Sequence, residues 1–263
     1  MSEPRDLLDT GETDLPALVC LHALFLDAGS FDGLVAAGRG RFRFLRPTFP
    51  GQGHRTGGTT ATVTMDDCVA DTLALLADAG VARYALLGQS MGGDVAVRIA
   101  AAHPDDVTAL VLVGSSARDE PAEQRAAFTG VVDHMANAGF DDMIQQTVLS
   151  IMLGATTRAD PAQQDLVADF KARFAALPAE LSHAARGVVE RPDATGLLAD
   201  ITAPTLVVNG TDDVARPPAW SADVAARITG ARQVQLEGVG HSATQEAPDV
   251  VMPLVLDFVA EHA

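Results

Sequence analysis

Residues 88–92, GQSMG, place a serine between two glycines, directly after the apolar run 84–87 and before a run with helical spacing. A serine in this setting lies on a tight turn from a strand into a helix, and strand and helix can approach each other only if the residues two positions to either side are nearly without side chains. Gly88 and Gly92 meet this requirement. The turn holds the Ser90 hydroxyl above a sheet edge and points the first helical N–H groups at whatever the serine attacks. The segment therefore predicts a site for acyl transfer.

A five-residue pattern of this kind also arises by chance in glycine-rich chains, so its surroundings matter. After the turn, apolar residues recur at helical spacing over 94–104 and the pattern stops at Pro104. Residues 107–114 then form an apolar, β-branched run that ends at glycine, which is typical of a buried strand. The order strand, turn, helix, strand is what the chemistry requires, and it favours the catalytic interpretation.

Composition limits the classes of protein to which the chain can belong. With 263 residues, 48% of them hydrophobic, it can bury the core of one α/β domain that carries an insertion. The net charge of −17 opposes binding to nucleic acids and to anionic membranes. No signal-peptide pattern and no apolar stretch near ~20 residues is present, which predicts a soluble, cytoplasmic protein. Cys20 and Cys68 are expected to be small buried side chains rather than a disulfide or a metal site.

Strand-like and helical runs alternate along most of the chain, which predicts a mostly parallel sheet covered by helices on both faces. Residues 7–9 are the only candidate for a strand before residue 18. The sheet is therefore expected to have fewer than the eight strands that are usual for this architecture. The other predicted strands cover 18–21, 42–47, 84–87, 109–113, 205–209 and 233–236, and helices are predicted over 65–79, 218–228 and 248–260.

Strand signals are missing between Ser115 and Arg191, where four helical patterns cover 121–136, 141–152, 161–176 and 178–190. We therefore predict an α/β core domain, 1–114 and 192–263, with a helical cap, 115–191, inserted into it. Large apolar side chains in a cap mostly serve its packing, but one face must cover the sheet edge, so some should line an apolar pocket. The candidates are Phe128, Met135, Phe140, Met143, Met152, Phe170 and Phe174.

A serine nucleophile needs a base within hydrogen-bond reach and a carboxylate that orients the base. Asp213 follows the predicted strand 205–209 at its carboxyl end, where catalytic groups gather in parallel sheets, and it is the predicted acid. Asp212 is interpreted as a turn or capping residue. His241 follows the last predicted strand and is the predicted base. The remaining histidines on predicted helices and loops are expected to be structural or exposed, namely His54, His103, His134, His183 and His262.

The oxyanion of an acyl-transfer reaction also needs preorganised donors. The N–H of Met91, the residue after the serine, is the first candidate. The second is the N–H of Leu24, in the loop that follows the first strong strand. His22, in the same loop, is expected to support the loop by hydrogen bonds rather than to act as a catalyst.

These motifs together resemble the α/β-hydrolase superfamily, from about residue 15 to the C-terminus, with the cap as the variable part. The matching pieces are the loop at 22–23, the turn PGQGH at 50–54, the turn at 88–93, the loop at 210–213 and the pair 240–241. Within the superfamily the chain looks most like small bacterial esterases, perhydrolases and lactonases such as 3-oxoadipate enol-lactonase. Ala23 departs from the pattern, because the family usually has glycine there, and the change bears on the placement of the Leu24 donor. Epoxide hydrolases and haloalkane dehalogenases of this fold have aspartate where this chain has Ser90.

The resemblance implies a serine hydrolase in which Ser90, His241 and Asp213 cleave a small, fairly apolar carboxylic ester or lactone through an acyl-enzyme. Such chemistry requires neither a metal nor an organic cofactor. Two alternatives stay open. The first is hydrolysis of a C–C bond, or a lyase reaction, by the same three residues. The second is a non-catalytic ligand-binding receptor, in which at least one of the three catalytic residues would be expected to be missing. Arg55 could hold an acidic substrate, although a solvated arginine is favoured. Whether copies of the chain associate is also open.

Overall fold

The chain is described by a computed structural model for residues 6–263. Within these residues one sheet of seven strands forms, in the order β1-β3-β2-β4-β5-β6-β7, and only β1 runs antiparallel to its neighbour. The strands are β1 (Leu7–Asp9), β2 (Ala17–Leu21), β3 (Arg43–Pro47), β4 (Tyr84–Gln89), β5 (Val107–Val113), β6 (Thr205–Gly210) and β7 (Arg232–Leu236). The mostly parallel sheet is the one predicted, including its short first strand.

Eleven α-helices accompany the sheet in the described part of the chain. They are α1 (Asp32–Ala37), α2 (Met65–Asp78), α3 (Met91–Ala102), α4 (Ala122–Ala138), α5 (Asp142–Met152), α6 (Ala155–Ala159), α7 (Gln164–Ala175), α8 (Ser182–Val189), α9 (Pro218–Arg227), α10 (Ala243–Glu246) and α11 (Pro248–His262). Across residues 6–263, no helix has both the length and the hydropathy that crossing a bilayer requires.

The two faces of the sheet are buried by different helices, because side chains alternate along each strand. Val19 and Leu21 of β2 point to one face and pack in a cluster with apolar residues of α2, α3 and α9. Leu18 and Cys20 point to the other face, where they pack with residues of α1 and α11. Both faces are therefore covered, as a parallel sheet requires.

Five helices, α4 to α8, lie between β5 and β6, and no strand occurs in this described stretch. Helix α4 packs against α8 and α5 against α7. Their buried side chains form a third cluster, which includes Met135, Phe170 and Phe174 and extends to Phe25 and Leu26 of the loop after β2. The helices thus rest on the carboxyl edge of the sheet. The division into core and cap domains at 114/115 and 191/192 stays a prediction.

Three helices were not expected from the sequence: α1, α6 and α10. They have six, five and four residues, too few for a helical period to show in the hydrophobic pattern. One of the seven candidates for the pocket lining, Met143, does not have this role. The side chain of Met143, on the outer side of α5, is 56% exposed instead of lining a pocket.

Candidate active site

Ser90 lies on the turn between β4 and α3 with φ 53° and ψ −116°. A non-glycine residue in this region costs about 1–3 kcal/mol, which the surrounding structure must offset. The close approach of strand and helix depends on the two flanking glycines. A Cβ on Gly88 would lie 2.5 Å from the Gly92 carbonyl oxygen, and one on Gly92 would lie 2.1 Å from the Leu21 carbonyl oxygen. The structure therefore has no room for a side chain at either position, as predicted.

The structure brings Ser90, His241 and Asp213 together at the carboxyl edge of the sheet. The Ser90 hydroxyl oxygen lies 2.7 Å from His241 Nε2, and His241 Nδ1 lies 2.9 Å from Asp213 Oδ2. All three residues are buried. These residues follow β4, β7 and β6 respectively, so the parallel strands position all three side chains.

The hydrogen bonds of Asp213 define the protonation pattern of His241. Asp213 Oδ1 accepts the backbone N–H groups of Ala215 and Arg216 at 2.9 and 2.8 Å. Its Oδ2 is left for the histidine. A carboxylate that faces Nδ1 favours the tautomer with the proton on that nitrogen. His241 Nε2 is then free to accept the proton of the Ser90 hydroxyl.

The two predicted oxyanion donors lie at the start of α3 and in the loop after β2. Met91 is the first residue of α3, where a backbone N–H has no partner within the helix. Leu24 lines the same cavity as Ser90 and His241. In the described chain the only non-glycine residues with positive φ are Ser90 and Phe25, at 69°. Ala23 therefore does not take the left-handed conformation, and this loop has no need of glycine at that position.

His22 is fully buried and supports the loop, as expected. Its Nδ1 lies 2.9 Å from the carbonyl oxygen of Ala23, and its Nε2 accepts the backbone N–H of Phe49 at 3.1 Å. This pattern requires a neutral ring with its proton on Nδ1. Burial lowers the pKa of His22 from 6.5 to about 4.

The low pKa of His22 makes the stability of the protein depend on pH. Between pH 6.5 and about 4 the unfolded chain binds the His22 proton more strongly than the folded chain. This contribution is complete above pH 6.5 and is lost as the pH falls through 4, for a total of roughly 3 kcal/mol. We expect urea unfolding at pH 4 to 7 to show a smaller pH dependence in His22→Asn and His22→Gln. Equal pH dependence in wild type and both variants would contradict this assignment.

A cavity of about 70 Å³ opens onto Ser90 and His241. Its walls are mostly apolar side chains of the cap, among them Phe128, Met135 and Met152, which the sequence had marked as pocket candidates. Two charged residues also line it, Glu120 and Arg216, and neither was expected at the site. Sequence reasoning had no signal for them, because Glu120 lies at the start of the predicted cap and Arg216 lies 96 residues later, after β6.

Glu246 is a third residue at the site that sequence reasoning missed. Its Oε2 accepts the backbone N–H of Gly240 at 3.0 Å, and its Oε1 accepts that of Ser242 at 3.0 Å, so one carboxylate holds the residues on both sides of His241. Oε2 also accepts from the Gly154 N–H and the Thr157 hydroxyl, in and next to α6. The signal would have been an acidic residue one helical turn after the histidine loop.

We expect Glu246→Gln to lower the free energy of unfolding by about 2–4 kcal/mol, because the amide NH₂ group would face N–H donors in place of a charged acceptor. Urea denaturation measures the change. Glu237→Gln is the matched control, because Glu237 is exposed and surface changes usually stay within about 0.5 kcal/mol. Equal stability of the two variants would show that the Glu246 carboxylate does not hold the His241 loop.

Arg55 has neither of the two roles considered for it. Its guanidinium donates to both oxygens of Asp71, at 2.6 and 2.8 Å, and to the Thr48 carbonyl. The side chain is only 18% exposed, so the expectation of a solvated arginine is wrong, and it is not among the residues that line the cavity at Ser90. Within residues 6–263, no group of three or more His, Cys, Asp or Glu side chains is arranged to hold a metal ion.

Comparison with known proteins agrees with this arrangement. A family model described as the alpha/beta hydrolase fold matches residues 16–248. The pimeloyl-[acyl-carrier protein] methyl ester esterase of Nitrosomonas europaea is 26% identical over 246 residues, which cover 89% of this chain and 92% of that protein.

Solved structures extend the similarity to three dimensions. The enol-lactonase from Burkholderia xenovorans LB400 has a TM-score of 0.87 and 26% identity, covering 96% of this chain and 95% of its own. A thermophilic esterase from Thermogutta terrifontis has a TM-score of 0.87 and 26% identity, covering 98% and 93%. The predicted fold class is confirmed, and the chain is similar to small bacterial esterases. It belongs to the alpha/beta hydrolase fold family and is a hydrolase of that family.

Proposed function

We propose that the protein is a serine hydrolase that cleaves a small carboxylic ester or lactone through an acyl-enzyme. The observation that carries the proposal is the unbroken chain of hydrogen bonds from the Ser90 hydroxyl through His241 to Asp213. This chain ends at the wall of an apolar cavity. A nucleophile, a base and an orienting carboxylate in this geometry are the parts that acyl transfer needs.

In the proposed reaction, His241 Nε2 takes the proton of Ser90 while the serine oxygen forms a bond to the substrate carbonyl carbon. The oxyanion accepts hydrogen bonds from the N–H groups of Met91 and Leu24. The C–O bond of the ester breaks as His241 returns its proton to the leaving alkoxide. A water molecule, deprotonated by His241, then attacks the acyl-serine and releases the carboxylic acid and the Ser90 hydroxyl. Asp213 keeps the proton of Nδ1 in place and stabilises the imidazolium.

The proposed substrate class follows from the cavity and from the relatives. Apart from Ser90 and His241, the lining is apolar except at Glu120 and Arg216, so it favours a small acyl or alcohol group with little polar surface. The names of similar proteins, a methyl ester esterase and an enol-lactonase, support an ester or a lactone as the bond that is cleaved. A small-molecule substrate, rather than nucleic acid or an anionic membrane, agrees with the net charge of −17. We also propose a cytoplasmic location.

Product analysis with a panel of substrates tests the proposal. The panel contains p-nitrophenyl butanoate, δ-valerolactone and a β-diketone, incubated with wild-type protein and followed by chromatography. We expect hydrolysis of the ester and the lactone, and labelling of Ser90 by a fluorophosphonate detected by mass spectrometry. Cleavage of the diketone without cleavage of the ester would favour the C–C hydrolase. No turnover of any substrate, with Ser90 unlabelled, would favour the ligand-binding receptor.

A further inference from the structure

Glu120 and Arg216 give the apolar cavity at Ser90 one polar end. Glu120 Oε1 accepts hydrogen bonds from Nη1 of Arg191 at 2.8 Å and from Nη1 of Arg216 at 2.9 Å. The Arg216 guanidinium also lies over the Trp220 ring, 5.7 Å from its centre. These contacts fix the carboxylate plane at the cavity wall.

The second oxygen of this carboxylate, Glu120 Oε2, is buried and has no hydrogen-bond partner among residues 6–263. The side chain of Glu120 is only 2% exposed. A buried carboxylate oxygen without a donor is costly, because the water that it loses is not replaced. Glu120 lines the same cavity as Ser90 and His241, so a ligand in this cavity can supply the missing donor.

The charges around Glu120 decide which kind of ligand group can bind. The guanidinium groups of Arg191 and Arg216 both contact the carboxylate of Glu120 through Oε1, and Arg191 also contacts Asp94. Burial lowers the pKa of Arg216 only to about 10, so it stays cationic at neutral pH. An ionised carboxylate accepts hydrogen bonds and donates none. The matching ligand group is therefore an O–H or N–H donor.

We propose that Glu120 determines substrate specificity. Its carboxylate is held by Arg191 and Arg216, and its Oε2 accepts a hydrogen bond from a hydroxyl or amide N–H of the substrate. This inference rests on the proposed hydrolysis at Ser90 and narrows its substrate class. The preferred ester or lactone is apolar apart from one hydrogen-bond donor in the part of the molecule that occupies the cavity.

Isosteric substrate pairs test the inference. One pair is p-nitrophenyl 3-hydroxypropanoate and p-nitrophenyl butanoate, and a longer pair is p-nitrophenyl 4-acetamidobutanoate and p-nitrophenyl 6-oxoheptanoate. Within each pair only the donor is replaced, by a methyl or methylene group. We expect wild-type kcat/KM to favour the donor by about tenfold or more in at least one pair, as for a hydrogen bond to a charged group. A preference below about fivefold in both pairs would overturn the inference.

The variant Glu120→Gln shows whether the preference comes from this carboxylate. Its amide oxygen can face the arginines, which places an NH₂ donor where Oε2 was, so the preference should fall below about twofold. Each substrate pair serves as its own reference, because a general loss of activity affects both members equally. Glu123→Gln is the matched control, since Glu123 is exposed at the start of α4, and it should keep the wild-type ratio. A preference that survives in Glu120→Gln would overturn the inference.

A binding measurement separates this inference from the proposed function. Calorimetry with Ser90→Ala compares methyl 4-acetamidobutanoate with methyl 6-oxoheptanoate, and methyl 3-hydroxypropanoate with methyl butanoate. We expect about tenfold tighter binding of the donor ester in the pair that fits. Tighter binding without turnover by wild type would contradict hydrolysis at Ser90 and support the donor site. Turnover of all esters with equal binding within both pairs would support hydrolysis and overturn the donor site.

Discussion

Ser90→Ala is expected to lower kcat for hydrolysis of p-nitrophenyl butanoate by about 10⁶-fold, because the variant has no nucleophile to form the acyl-enzyme. The residual rate would come from the oxyanion donors and from binding, which together retain about 10³–10⁴-fold over the reaction in water. Release of p-nitrophenolate, followed by absorbance at high protein concentration, measures both rates. The same variant should also lose fluorophosphonate labelling.

Ser150→Ala is the control for Ser90→Ala. Ser150 lies in α5, where its hydroxyl donates to the Thr147 carbonyl, and it is not among the residues that line the cavity at Ser90. We expect wild-type activity from this variant. Thermal unfolding of both variants shows whether the fold is kept. A folded Ser90→Ala protein with more than about 1% of wild-type activity would mean that another group attacks the ester.

Asp213→Asn is expected to lower kcat by about 10⁴-fold with little change of structure. The carboxylate oxygen that faces His241 Nδ1 would become an amide group, and either of two results follows. An amide NH₂ would donate to Nδ1 and shift the ring proton to Nε2, where it blocks proton transfer from Ser90. An amide oxygen would keep the tautomer but remove the charge that stabilises the imidazolium. Steady-state kinetics with p-nitrophenyl butanoate measures the loss.

Asp212→Asn is the matched control, because the side chain of this neighbour accepts the backbone N–H of Thr156 at the start of α6. Its activity should stay within about threefold of wild type. If both asparagine variants lost activity equally, the loss would reflect a disturbed loop and not the specific contact of Asp213 with His241. If Asp213→Asn kept its activity, His241 would need another orienting group.

The residues around Ser90 could be predicted from the sequence because the chemistry imposes local patterns. The turn needs glycines at 88 and 92, and Asp213 and His241 each follow a strand, so all three side chains reach one sheet edge. The strands could be predicted for the same reason, since each is a short apolar run between turn residues. Asp213 was distinguished from Asp212 only by its position in the loop, and the structure now places Asp213 against His241.

The contacts that the sequence did not reveal join distant positions. Glu120 and Arg216 are 96 residues apart, and Glu246 and Gly154 are 92 residues apart. Neither contact can be recognised from a repeating pattern in the sequence. Which residues meet depends on how the cap helices pack on the core. Arg55 and Asp71 are only 16 residues apart, but a loop and a helix separate them. Local patterns thus predict the elements that carry the site, whereas the side chains that support it follow from tertiary packing.

The carboxylate of Glu246 links the loop that carries His241 to the segment at the beginning of α6. One carboxylate binds the loop of His241 and, through Gly154 and Thr157, the segment at the beginning of α6. A displacement of this segment would break hydrogen bonds to the same carboxylate that holds the residues on both sides of His241. The packing of the cap at α6 and the position of the imidazole are therefore linked through a single side chain.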